Sequence, residues 1–289
     1  FAMVPMNLLG AGTLSTYIIT GAWSKAAAKE ALRFGRVQSA FSGSGNRIPA
    51  DEELEVIPET SYCAYCDNET IHGIEFERVP VLKDAEAVPL VADMTSNFLT
   101  RPVDVNKFGL FYASAQKNLG IAGLAVIVLR RDLLGLAGTE VPTLLNYSVY
   151  SRTDSVPNTP PVFQLYVANL MAQWIEAHGG VAVMDEYARA RAKIVYDAID
   201  AMPEMYVSHV ERESRSRVNA VFRLKDEALT ALFVKEAAEA GLANLAGHRA
   251  VGGIRASMYN AMPIEGVQKL ADFMKTFAHR HGRTQSAVN

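Results

Sequence analysis

Between Ser61 and Leu129 the chain alternates short apolar runs with turns, and this rhythm constrains the fold more than any other feature. Residues 88–92 (Val-Pro-Leu-Val-Ala), 108–113 (Phe-Gly-Leu-Phe-Tyr-Ala) and 124–129 (Leu-Ala-Val-Ile-Val-Leu) are nearly unbroken apolar segments of strand length. Such runs, bounded by turn residues, predict strands buried on both faces, the pattern of a mostly parallel sheet in an α/β protein. Residues 62–66 (Tyr-Cys-Ala-Tyr-Cys) predict one more strand. The Cys63-x-x-Cys66 spacing also occurs in zinc and redox sites, but no second cysteine pair completes a zinc set.

Helical signals surround this region. Residues 21–34 are alanine-rich and stop at Gly35, residues 41–46 read as a loop, and Thr159-Pro160-Pro161 opens a helix whose Phe163, Tyr166, Leu170, Met171, Trp174 and Ile175 keep helical spacing. Gly179-Gly180 ends it. A helix over 181–201, a strand over 218–224, a helix over 226–240 closed by Gly241 and a last helix over 264–279 follow, with a polar, frayed tail after Gly282. The pattern predicts a large α/β domain over 1–180 and a smaller α+β domain over 181–289. A chain of 289 residues, 49% hydrophobic, has enough apolar surface for two such cores. A formal net charge of −3 argues against a general nucleic-acid or membrane-surface binder. No apolar run is long enough to span a bilayer and no signal-peptide pattern opens the chain, so a cytoplasmic location is expected.

Two residues at predicted strand ends carry reactive groups. Lys117 follows the 108–113 strand in a small-residue turn (Ser114-Ala115-Gln116-Lys117-Asn118), and Asp93 closes the 88–92 strand. The carboxyl ends of buried parallel strands are where open α/β sheets bind ligands. A partly desolvated lysine becomes a nucleophilic amine able to form an imine, and an aspartate can hold a pyridinium nitrogen in its protonated state. These are the two protein groups that pyridoxal phosphate requires. Spacing alone also allows a snorkelling loop lysine and a turn or helix-capping aspartate.

Five segments, in order, carry a resemblance to a known family: residues 4–10 (Val-Pro-Met-Asn-Leu-Leu-Gly), 68–74 (Asn-Glu-Thr-Ile-His-Gly-Ile), 115–118 (Ala-Gln-Lys-Asn), 158–161 (Asn-Thr-Pro-Pro) and 247–257 (Gly-His-Arg-Ala-Val-Gly-Gly-Ile-Arg-Ala-Ser). Tyr259-Asn260-Ala261-Met262-Pro263 extends the last. Over nearly its whole length the chain resembles the phosphoserine aminotransferases, fold-type I pyridoxal-phosphate enzymes. The resemblance implies that Lys117 carries pyridoxal 5'-phosphate and Asp93 faces its ring nitrogen. Trp23 stacks on the ring, Thr70 meets the phenolic oxygen, and Gln116 holds the phosphate with Asn158 and Thr159 from the other subunit of a homodimer. Without it, Trp23 reads as core, Thr70 as a turn residue and Thr159 as a helix N-cap.

His248, Arg249 and Arg255 fall within eight positions among glycines, which suits an anion site as well as an exposed basic loop. The resemblance assigns Arg255 to the substrate α-carboxylate and His248 and Arg249 to the distal anion. It further implies transamination between O-phospho-L-serine and 2-oxoglutarate in serine biosynthesis, and in many bacteria a second role in pyridoxine biosynthesis. It also implies an N-terminal portion ahead of Phe1 carrying a His-Arg pair and a glycine-rich loop. Alternatives at this point are an aminotransferase of alanine–glyoxylate type and a non-catalytic dimerisation unit.

Overall fold

The computed structural model describes residues 1–10 and 12–282, so the polar tail after Gly282 lies outside the described residues. The chain begins with α1 (Met3–Leu8), β1 (Leu14–Ile19), α2 (Ala22–Ala31), β2 (Arg36–Ser42) and β3 (Cys63–Cys66). A small hairpin of β4 (Asn68–Glu69) and β5 (Ile74–Glu75) precedes β6 (Leu90–Asp93), β7 (Leu110–Ser114) and β8 (Ala125–Leu129). Three helices follow, α3 (Tyr147–Arg152), α4 (Val162–Ala177) and α5 (Gly180–Asp200). Then come β9 (Tyr206–Val207), β10 (Asn219–Leu224), α6 (Thr230–Glu239), β11 (Ile254–Ser257) and α7 (Ile264–His281).

The main sheet has the order β2-β1-β3-β6-β7-β8. Neighbours are parallel except β7 and β8, which pair antiparallel from Leu110–Leu129 to Ser114–Ala125. All four residues of β3 are buried, as a strand covered on both faces requires, which accounts for the two apolar thiols of Cys63 and Cys66 in the middle of a sheet. From β1 the chain moves outward to β2, then returns past β1 to β3. The strand order therefore reverses between β1 and β3, and in open sheets a crevice opens at the carboxyl ends of the strands at such a point.

One apolar core lies on one face of this sheet, with Ile18, Tyr65, Leu90, Met94 and Phe111, and a second on the other, with Tyr17, Ala31, Tyr62, Val91 and Leu110. The antiparallel sheet β11-β10-β9 is covered by α5, α6 and α7, and every buried member of its core comes from Ala192 onward. Between α4 and α5 the chain turns at Gly179, whose φ of 95° is open to glycine at little cost.

Several predicted boundaries move. The alanine-rich helix ends at Ala31, three residues before Phe34, since the last turn before Gly35 uses shorter bonds such as Phe34 N–H to Ala31 O (2.9 Å). The segment predicted as one helix from 226 starts as a 3-10 turn over Glu227–Leu229, where Asp226 accepts from Ala228 N–H, and only then becomes α6. Thr159 is not the N-cap of α4: the helix begins at Val162 behind Pro161, with no side-chain cap. The apolar stripe of α4 is mostly outside the core, with Phe163 65% and Tyr166 57% exposed.

Candidate active site

Four consecutive sheet positions deliver side chains to one place. β1 ends at Ile19, and two residues later Gly21 is the N-cap of α2, which carries Trp23 in its first turn. β3 ends at Cys66 and leads into Glu69 and Thr70, β6 ends at Asp93, and β7 ends at Ser114, three residues before Lys117. Cys66 and Asp93 stand opposite each other in the ladder, as do Asp93 and Tyr112, so the strand ends are level.

A cavity of about 620 Å³ lies over them, lined among others by Trp23, Asn68, Asp93, Thr95, Gln116 and Lys117. That is the size of a cofactor pocket. Lys117 is half-buried, and burial pushes its amine below the ordinary lysine value. The Asp93 carboxylate pulls the other way, while the Arg255 guanidinium adds to the depression. The result is a lysine with more neutral amine near pH 7 than a surface lysine has. Asp93 accepts from Thr95 N–H at 2.9 Å and keeps acceptor capacity on the cavity wall. Thr95 is fixed in turn, its Oγ1 accepting from Ser114 N–H at 3.2 Å.

Trp23 is held from below by a buried carboxylate. Glu69, fully buried, accepts from Trp23 N–H (2.8 Å), Ser24 N–H (2.7 Å) and the Ser24 hydroxyl (2.7 Å), which caps α2 from a distant strand. Burial raises its carboxyl pKa, and the Ser24 and Trp23 bonds oppose that rise. Gly21 makes room for this cap, because a Cβ there would lie 2.7 Å from the Glu69 carboxylate carbon. The Trp23 indole N–H donates to Thr70 Oγ1 at 3.0 Å, leaving the ring 37% exposed on the cavity.

Of the predicted site residues, the structure brings Trp23, Asp93, Gln116 and Lys117 onto one cavity wall. Thr70 joins through Trp23, and Arg255, on β11, reaches the Thr70 carbonyl oxygen at 3.5 Å. His248 is half-buried in a tight loop in which its Nδ1 accepts from Ala250 N–H at 3.2 Å. Arg249, Asn158 and Thr159 are exposed and do not line the Lys117 cavity within this chain. Sequence reading missed Asn68, Thr95, Ser96 and Glu69. Thr95 and Ser96 come two and three residues after Asp93, so the turn after a reactive strand end was the available signal; Glu69 has no local signal, as its partners lie more than forty residues away.

A cavity at the carboxyl ends of parallel strands, with a depressed lysine, a facing carboxylate and an indole face, defines a transferase site built for an imine-forming aromatic cofactor. The aminotransferase class-V profile matches residues 1–270. A phosphoserine aminotransferase from Laribacter hongkongensis (strain HLHK9) is 47% identical over 285 residues, spanning 98% of this chain and 78% of that protein. The solved structure of a phosphoserine aminotransferase from Bacillus circulans subsp. alkalophilus matches with a TM-score of 0.93 at 41% identity, over 97% of this chain and 78% of that one. The pyridoxal-phosphate-bound enzyme from Trichomonas vaginalis matches with a TM-score of 0.88 at 39% identity, over 95% and 78%. The chain belongs to the phosphoserine aminotransferase family, within the class-V aminotransferases. The fold is the fold-type I α/β architecture of that class, its cofactor is pyridoxal phosphate, and the alanine–glyoxylate and non-catalytic alternatives fall away. Among the described residues no helix is long and apolar enough to cross a membrane.

Proposed function

We propose that this protein moves an amino group between O-phospho-L-serine and 2-oxoglutarate, yielding 3-phosphooxypyruvate and L-glutamate in the cytosol. The observation that carries this reading is the placement of Lys117 and Asp93 at the ends of adjacent parallel strands on one cavity. Pyridoxal phosphate, when bound, supplies an electron sink for the pair left on the substrate Cα. Lys117 holds it covalently and then moves the proton at that carbon, a task that needs the partly neutral amine its burial supports. Asp93 is assigned to the ring nitrogen, Trp23 to the ring face, Thr70 to the phenolic oxygen and Gln116 to the phosphate. Arg255 is assigned to the substrate α-carboxylate, which its position beside Thr70 supports. His248 and Arg249 take the distal anion.

Asn158 and Thr159 act, in this reading, from a second copy of the chain. They sit just before α4, whose exposed face includes Val162, Phe163, Tyr166 and Leu170, and an apolar face of this extent favours burial against a partner. We also divide the chain into a cofactor-binding unit over 1–180 and a smaller unit over 181–289, a division that the separate apolar cores and the glycine corner at 179–180 support. The reading is tested by borohydride reduction of the cofactor-loaded enzyme. The cofactor should become fixed to the peptide containing Lys117, and Lys117→Ala should abolish turnover of phosphoserine with 2-oxoglutarate. Labelling at Lys107 or Lys83 would overturn the assignment.

A further inference from the structure

The turn that carries Lys117 is fastened to the C-terminal part of the chain by side chains with no role so far. Asn118, 2% exposed, donates from Nδ2 to Ser96 O at 3.0 Å, and its Oδ1 accepts from Asn260 N–H at 3.0 Å. Asn260 is buried too, and its Nδ2 donates to Leu99 O at 2.9 Å, holding the one-residue left-handed kink (φ 62°) that follows the Asp93 turn. Arg191 of α5, also buried, fixes the Asn260 segment from behind: Nη1 donates to Asn260 O (2.9 Å) and Met262 O (2.7 Å).

A second bridge runs parallel to it. Asn68 Nδ2 donates to Ser96 Oγ and to Asn219 Oδ1, both at 2.9 Å, and Asn219 Nδ2 donates to Ser257 Oγ at 3.0 Å. Ser257 ends β11, the strand that carries Arg255, and Asn260 lies three residues beyond it. Both turns of the reacting side and the Arg255 strand are thus tied at Ser96, Asn118, Asn219 and Asn260. The Asn118 amide is bonded at both its Nδ2 and its Oδ1, while Asn68 Oδ1, Asn260 Oδ1 and Arg191 Nε and Nη2 have no partner among the described residues. A buried amide held at both ends has few alternative arrangements, so Asn118 sets a distance rather than merely adding stability.

Building on the assignment of Lys117 and Arg255, we propose that Asn118 is a positioning residue: through the Asn260 amide it fixes the Lys117 amine relative to the guanidinium that takes the substrate carboxylate. Misplacement of a reacting group by about 1 Å can cost on the order of 100-fold. Asn118→Ala should therefore lower kcat/KM for phosphoserine and for glutamate alike, by roughly 10- to 100-fold. Cofactor content should stay near stoichiometric, and the pH midpoint of the visible absorption of the Lys117-bound cofactor should move by at least about half a unit, since the lysine no longer sits at a fixed distance from Asp93 and Arg255.

Asn118→Asp keeps an acceptor for the Asn260 amide and should recover part of the loss; if Asn118→Ala does not fold, this variant decides by the same two measurements. A purely structural asparagine would lower the melting temperature yet leave kcat/KM and the spectral midpoint of the folded fraction unchanged, and that result would overturn the proposal. Peptide mapping after borohydride reduction of the parent enzyme separates this failure from an error in the Lys117 assignment, which would move the label to another lysine.

Discussion

At the scale of single residues, the site works by controlling where charge resides. In the proposed assignment Arg255 reads the substrate α-carboxylate and Arg249 the distal anion. Arg255→Ala should weaken every amino-acid substrate by about 2–5 kcal/mol in kcat/KM, because all of them present an α-carboxylate. Arg249→Ala should cost phosphoserine and glutamate about 1.5–3 kcal/mol, the worth of a hydrogen bond to a charged group, and leave alanine nearly unchanged. Equal losses for phosphoserine and alanine in the Arg249 variant would remove it from the distal pocket. His72 gives a second, independent reading of charge. Among the described residues its Nδ1 is buried without a partner, and burial first, then His209 and His248, lowers its pKa from the usual value of 6.5. The folded protein thus resists a proton that the unfolded chain accepts, so stability present at neutral pH is lost as the pH falls through about 6.5 toward the lower folded value. In urea titrations at pH 7.5 and 5.5, His72→Asn should lose less stability on acidification than the parent. Equal losses would show that His72 does not titrate as described.

At the scale of elements, α4 shows how a helix can satisfy its own pattern and still lack a partner. Its apolar residues recur at helical spacing, yet among its residues only Ala168 and Ile175 are buried in this chain. In the proposed dimer, this face carrying Phe163, Tyr166 and Leu170 would be buried against the second copy. The double replacement Phe163→Glu with Tyr166→Glu should weaken self-association by about two orders of magnitude or more, read by light scattering across a concentration series. Because both positions are exposed here, the fold should persist. Cofactor retention should fall with the dimer if Asn158 and Thr159 act across the interface. An unchanged dimer would move the interface elsewhere. α2 makes the complementary point: it starts where it does because Glu69, arriving from β4, caps its first turn.

At the scale of the whole molecule, a buried ion pair joins the N-terminal and C-terminal parts of the chain. Arg217, just before β10, donates from Nη2 to Glu75 Oε1 (2.6 Å) and from its backbone N–H to Glu75 Oε2 (2.8 Å), and it also pairs with Asp185 of α5. Glu75 is 3% exposed, so losing Arg217 leaves a buried acceptor pair without its counter-charge. Arg217→Ala should cost about 3–5 kcal/mol in urea unfolding. A loss below about 1 kcal/mol would mean that desolvation had already cancelled the attraction. Nearby, Arg101 clamps Asp67 with bonds of 3.0 and 2.7 Å and reaches the Phe76 carbonyl at 2.7 Å, which braces the loop from which Asn68 and Glu69 project.

The sequence alone determined the interior strands β3, β6 and β7 and most helices. The run 124–129, read as a strand buried on both faces, instead forms the antiparallel edge strand β8, with none of its residues buried. Unbroken apolar runs such as 108–113 and helical spacing such as that after Thr159 are properties of consecutive residues, and backbone geometry converts them into elements without outside help. It also placed Asp93 and Lys117 at strand ends, since a charged group closing an apolar run has few other places to be. β1 went unread because Leu-Ser-Thr-Tyr-Ile-Ile carries two polar residues, Ser15 and Thr16, that become fully buried only when β2 and β3 flank them. Tertiary structure decided the strand order with its reversal beside β1, the Glu69 cap, the exposure of α4 and the fastening of Asn118 to Asn260. Each of these joins residues far apart in the chain, and a long-range contact leaves no periodic trace at either of its ends; only folding brings the two ends within a hydrogen bond's reach.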